Sequence, residues 1–156
     1  MNKFNKIKEE VLNILSKSPL DFDPIHAELV LKWVLKLKPD ADEALKISAF
    51  SHDIDRAITG ITEKDLQDYS KIDHFKKEHS MRSASIICEI LEKHKYPNDI
   101  INKVRHLVEN HEFGGDLESD ILKDADSIAY FDYNIPSYLK RNGKERIKSK
   151  IKFMYN

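Results

Sequence analysis

The chain has 156 residues, with 26 basic and 27 acidic side chains, seven histidines and a single cysteine. This length suffices for one domain whose core needs no disulfide or structural metal, and the near-zero net charge excludes a general electrostatic case for nucleic-acid or membrane binding. A lone Cys88 excludes an internal disulfide and fits a reducing cytosol, while no run approaches the roughly 20 apolar residues of a membrane span and no apolar signal core opens the chain, so a cytoplasmic protein is expected.

Four glycines and five prolines are few, and apolar residues recur at helical rather than alternating spacing, which predicts an all-α fold. Residues 3–17 place Phe4, Ile7, Val11, Ile14 and Leu15 on one stripe. Asp23-Pro24 reads as an N-cap followed by proline in the first turn, opening a helix to about Leu37. Asp40 is expected to cap the next helix, which runs through Leu45, Ile47 and Phe50 to the pair His52-Asp53.

The stretch 54–73 is polar, contains Gly60, and reads either as a lid over a site or as a connector with one short helical turn. Asp73 is expected to cap a long helix to about Lys95, and Asn98 another that ends near Asn110-His111. Gly114-Gly115 breaks the pattern, a helix from about Leu117 to Tyr133 carries Asp126, and Pro136 interrupts it. A basic amphipathic helix over 144–154 closes the chain. With Ile147, Ile151 and Met154 on one side it is expected to dock on the core or on a second copy in a homo-oligomer rather than on nucleic acid. No repeat or linker divides the sequence, so 1–156 is read as a single domain.

The histidines carry the chemistry. A His-Asp doublet alone means little, since seven histidines and fifteen aspartates in random order would give about 0.7 such pairs. Position adds the information. His26 shares a face with Leu29, Val30 and Trp33; His111 continues the stripe Ile100, Val104, Leu107 and Val108; Asp126 lies among Leu122, Ala125 and Ala129. An ionised carboxylate that faces a core is costly unless compensated, and a cation compensates it directly. His79 sits nearer the polar boundary, beside Phe75, Ser83 and Ile86. Imidazole and carboxylate form a ligand set for zinc, iron, manganese, nickel or cobalt rather than a thiolate site. His74, His94 and His106 are expected to be surface or supporting residues.

In its order His26, His52-Asp53, Asp126, the chain resembles the HD-domain superfamily of metal-dependent phosphohydrolases, whose pattern is H, then HD, then a distant D on a helical core. The likeness covers roughly Asp23 to Tyr133, and LKDADSIAYFD looks like that family's final helix. The resemblance implies a bundle of about six to eight helices, a first metal on His26, His52, Asp53 and Asp126, and a second on His79 and His111 with Asp53 bridging. Arg56 stands where several members carry a phosphate-contacting lysine, although HDIDR replaces glycine by Asp55; the alternative is an ion pair with Asp55 or a neighbour. Arg82 and Lys77 are further candidate substrate-binding cations. A (p)ppGpp hydrolase would show HDxxED, and Arg56 occupies its Glu position, which disfavours that activity. Glu112 is left out because adjacent residues on a helix point in different directions.

The implied function is hydrolysis of a phosphomonoester or phosphodiester of a small metabolite, a nucleotide foremost, by metal-activated water, with Asp53 as the central catalytic residue. The alternative is a helical His/carboxylate metal protein that senses oxygen or metal, or acts as an oxygenase.

Overall fold

The computed structural model describes residues 2–134, 144–145 and 148–154, and among these every regular element is helical. Seven α-helices follow one another: α1 (Lys3–Leu15), α2 (Asp23–Leu37), α3 (Glu43–Ser51), α4 (Asp55–Thr59), α5 (Ile72–Lys93), α6 (Asn98–Glu109) and α7 (Leu117–Ala129). A π-helical turn, Tyr130–Asn134, extends α7. The all-α expectation holds, and no helix among the described residues is long and apolar enough to cross a membrane. Pro136 and Ile147 lie outside the described residues, but 144–145 and 148–154 are helical as expected.

The short helix α3 is the hub. It packs against α1, α2, α6 and α7, and its Ala44, Leu45, Ile47, Ser48, Ala49, Phe50 and Ser51 are all buried. A helix that is apolar almost all round belongs in a core, where fully burying one large aliphatic or aromatic side chain contributes about 1.5–3 kcal/mol. Its two buried serines satisfy themselves by donating to carbonyls one turn back, Ser48 to Ala44 at 2.8 Å and Ser51 to Ile47 at 2.7 Å. The other α3 contacts come from apolar stripes read correctly in the sequence: Ile7, Val11 and Leu15 of α1, and Val104, Leu107 and Val108 of α6, are buried in one cluster.

Several helix starts differ from expectation. Asp42, not Asp40, caps α3, its side chain accepting from the Leu45 amide. Position 22 precedes α2, so Asp23 lies inside the helix and its carboxylate is fully buried and engaged elsewhere. The helix α5 begins at Ile72 without a side-chain cap, and Pro97 rather than Asn98 occupies the cap of α6. Asp116 caps α7. The stretch 54–73 holds α4 and two 3-10 turns, Glu63–Asp65 and Tyr69–Lys71, which is more regular structure than a connector with one short helical turn.

Asp42 also pairs with Lys103 of α6, tying the start of α3 to its neighbour. Burial pushes the Asp42 pKa up, but the Lys103 ammonium and the Leu45 amide outweigh it and hold it below the ordinary value. A depressed folded-state pKa gives stability that is present above the unfolded pKa and is lost as pH falls through the folded one. Asp42→Ala is expected to cost about 1 kcal/mol in urea unfolding at pH 7, mostly the lost cap because the ion pair is half exposed. Asp42→Asn should recover most of it, and the gap between wild type and Asp42→Ala should narrow below about pH 4.

Candidate metal centre

Five elements that surround the end of α3 each send polar side chains inward. His26 comes from the first turn of α2, His52 and Asp53 from the turn joining α3 to α4, His79 from α5, His111 from the turn after α6, and Asp126 from α7. The three histidines His26, His52 and His111 and also His79 are buried, as is Asp53. The fully buried Ile54 anchors the turn that presents the doublet.

The carboxylate of Asp53 divides the cluster in two. Its Oδ2 lies 3.2 Å from Nε2 of His52 and 3.7 Å from Nε2 of His26. Its Oδ1 lies 2.9 Å from Nε2 of His79 and 4.0 Å from Nε2 of His111. Asp126 closes the first half, with Oδ1 at 2.7 Å from His26 and 3.4 Å from His52. Two groups of metal-ligating atoms result, His26/His52/Asp53/Asp126 and Asp53/His79/His111, each with its donor atoms within 4.8 Å of one another. These are the two sets, joined by one carboxylate, that the sequence resemblance implies.

The orientation of two imidazoles tests whether the cluster suits a cation. Nδ1 of His52 sits 2.8 Å from the Ala49 carbonyl and Nδ1 of His111 sits 2.7 Å from that of Val108. A carbonyl only accepts, so Nδ1 carries the proton in both, and in the neutral ring the Nε2 lone pair points into the cluster. Both Nε2 atoms are buried and satisfy no hydrogen bond: neither the contacts of His52 to Asp53 and Asp126 nor the 3.4 Å contact of His111 to Glu112 has the required direction. Two such nitrogens among carboxylates form a donor set that could hold a metal ion.

Charge balance supports the same conclusion. Burial alone would raise the Asp53 pKa, yet the Arg56 guanidinium and His52 hold it well below the ordinary carboxylate range. Asp126 is likewise held far down by His52 and His26 against the cost of burial. Burial opposes charge on His52, but the two carboxylates prevail and raise its pKa well above the usual imidazole value. Without another cation His52 therefore favours its charged form, held between the two carboxylates.

The residues around the ligands hold them in place. Arg56 reaches Asp53 Oδ2 at 2.6 Å with Nη2 and grips the buried Asp23 with Nη2 at 2.8 Å and Nε at 3.2 Å. It lines the cavity, but as a spacer between two carboxylates, so the ion-pair alternative describes it well, with Asp23 and Asp53 as partners rather than Asp55. Arg82 makes a two-point contact with Asp55, at 2.8 and 3.0 Å, and Asp55 in turn meets Nδ1 of His79 at 3.1 Å. The chain Arg82, Asp55, His79, Asp53 fixes the ring whose other nitrogen faces the second group. Arg82 does not line the cavity.

Lys77 is exposed and also lies off the cavity, because its place on α5 faces solvent; the buried cation is its neighbour Lys76. Glu112 was missed for a physical reason. The helix α6 stops at Glu109, so His111 and Glu112 lie in a turn, where neighbouring side chains converge, and a third ligating group, His111/Glu112/Asp126, includes it. Gly114, at φ +73°, makes the reversal, and a Cβ there would strike the Asp120 carboxylate that receives the Gly115 amide. The other histidines stand apart as expected: His74 and His106 are exposed, and His94 pairs with Glu10.

The ligand groups form the floor of a cavity of about 940 Å3, open mouth included, walled by Phe22, Phe75, Phe153 and Tyr130 and by four lysines, Lys64, Lys76, Lys123 and Lys150. The whole of this arrangement falls within the region matched by one family, described as a domain of unknown function (DUF4202), over residues 6–154. The chain belongs to the DUF4202 family. No match was found among curated proteins or among solved structures. In this DUF4202 chain the histidine–carboxylate cluster is therefore the feature from which function must be argued.

Arg82→Ala is expected to weaken manganese binding at the His79 group by about tenfold to a hundredfold while leaving binding at the His26 group intact. Calorimetric titration resolves the two; an unchanged affinity at the His79 group alongside a lowered melting temperature would limit Arg82 to a structural role.

Proposed function

We propose that the chain is a metal-dependent phosphohydrolase of the HD-domain type, acting on a phosphoester of a small metabolite, with a nucleotide foremost. The observation that carries this reading is Asp53, a single buried carboxylate whose two oxygens face two separate sets of histidine and carboxylate ligands. Divalent ions bound there would supply an activated water at neutral pH and neutralise charge on the phosphoryl oxygens.

The protein's own contribution is to hold the ligands and shape the cavity. Asp53 stays ionised beside the Arg56 guanidinium, and because the Nδ1 atoms of His52 and His111 donate to backbone carbonyls, their Nε2 atoms are the ones that would face a bound cation. The cavity sets an aromatic side against a basic one over the ligand groups. Its aromatic side suits a planar organic group, and its lysines suit an anionic one. Oxygen handling, the other reading of such ligands, has no use for four lysines along the cavity wall, so the wall favours a phosphorylated substrate.

Protein purified without a chelating tag and loaded with manganese, iron, nickel, cobalt or zinc is expected to cleave members of a broad nucleotide and phosphoester panel. Asp53→Ala should lower kcat/KM by about three orders of magnitude, the equivalent of several kcal/mol of lost transition-state stabilisation. Equal activity in that variant would show the site to be misassigned, and inactivity of every metal-loaded form across the panel would sink the phosphohydrolase reading.

A further inference from the structure

Beside the ligand groups, two buried ammonium groups converge on one carboxylate. Lys76 Nζ donates to Glu112 Oε2 at 3.0 Å and lies 3.9 Å from Glu63 Oε1. Lys150, from the helical segment 148–154, donates to the same Glu63 oxygen at 3.1 Å. The lysine side chains are only 5% and 14% exposed, and both line the cavity. Aromatic rings close the back of this corner: Lys76 Nζ stands 4.6 Å from the centre of Phe153 and Lys150 Nζ 5.2 Å from that of Tyr130.

Burying two ammonium groups is expensive unless an anion meets them, and the carboxylates that do so differ in how firmly they are held. Glu112 belongs to the turn that carries His111 and touches the ligand cluster, with Oε1 3.4 Å from His111 Nε2. Glu63 belongs to a 3-10 turn, Glu63–Asp65, that buries none of its residues and follows Gly60, whose φ is +72°. The Glu63 turn is the less deeply buried of the two, so displacing it costs less than displacing the turn that carries His111. Replacing one anion by another between the same two donors leaves the local charge balance unchanged.

We propose that Lys76 and Lys150 form a second anion subsite of the cavity, for which the Glu63 carboxylate holds the place until substrate enters. On the phosphohydrolase reading, on which this inference rests, the substrate is then a phosphoester that carries a second acidic group, a carboxylate or another phosphate. The reacting phosphoryl lies over the Asp53 cluster and the second group takes the position of Glu63, one carboxylate (Glu112) and one ammonium (Lys76) away from His111. The basic tail thereby belongs to the substrate cavity itself, and the turn at Glu63 is its exchangeable wall.

Two non-hydrolysable anions test this on the metal-loaded full chain. Methylphosphonate occupies the phosphoryl position alone, and 3-phosphonopropionate adds a carboxylate on a short arm. Calorimetry is expected to show 3-phosphonopropionate bound about tenfold tighter or better, the gain of one or two hydrogen bonds to charged groups. Lys150→Gln should remove most of that difference without changing methylphosphonate affinity. Glu63→Gln, which removes the competing anion, should tighten 3-phosphonopropionate severalfold and leave methylphosphonate unchanged. Equal affinities of the two anions for the wild type, or a Glu63→Gln variant that binds 3-phosphonopropionate no more tightly while retaining its metal content, would overturn the subsite. Failure of methylphosphonate to bind the metal-loaded protein would instead count against the phosphohydrolase reading, and retained metal content in each variant separates both outcomes from misfolding.

Discussion

The structure depends on keeping the Asp53 carboxylate charged inside a helical core. Burial works against this charge, and the response extends through three layers of side chains. Arg56 meets Asp53, Asp23 meets Arg56, and Ser18 donates to Asp23 at 2.6 Å. On the opposite side His79 meets Asp53, Asp55 meets His79, and Arg82 meets Asp55. Opposite charges alternate outward from the centre until the last arginine reaches solvent, which is how a protein keeps buried ions without leaving any of them uncompensated. The helices that carry these residues could pack in many ways if apolar contact alone decided, and the alternation selects the one that aligns the signs.

Much of this is legible in the sequence. The apolar stripes of α1, α2, α6 and α7 placed His26, His111 and Asp126 inward because helical period and burial face are local properties of sequence. The order of histidines and aspartates then pointed to the cluster, although spacing alone could not show that the two oxygens of Asp53 face different partners. His79 looked like a boundary residue because its own helix is amphipathic only weakly there; its burial comes from α4 and its turn, which fold over it.

The residues that escaped are those whose role is set by distant neighbours. Asp23 carries the local signature of an N-cap, and only the approach of Arg56, 33 positions on, gives it a different task. Lys77 and Lys76 are indistinguishable by composition, and one step around α5 separates solvent from cavity. Glu112 was judged by helical geometry in a place where the helix had already ended. Lys150 and Glu63 stand 87 residues apart, and the period of one helix says nothing of which distant turn it meets. Helix ends and connections supply most of the cavity's polar wall, and those are the parts that pattern describes least.

The contact between His26 and Asp126 spans 100 residues of chain. A cation shared by these two side chains and the His52-Asp53 turn would act as a cross-link that fastens the beginning, middle and end of the sequence at one point. Closing loops of that size removes conformational freedom from the unfolded chain much as a disulfide does, in a protein whose one cysteine rules out an internal disulfide. Metal supply would then govern how long the chain survives proteolysis as well as whether it reacts, so that its lifetime and its chemistry answer to the same ion.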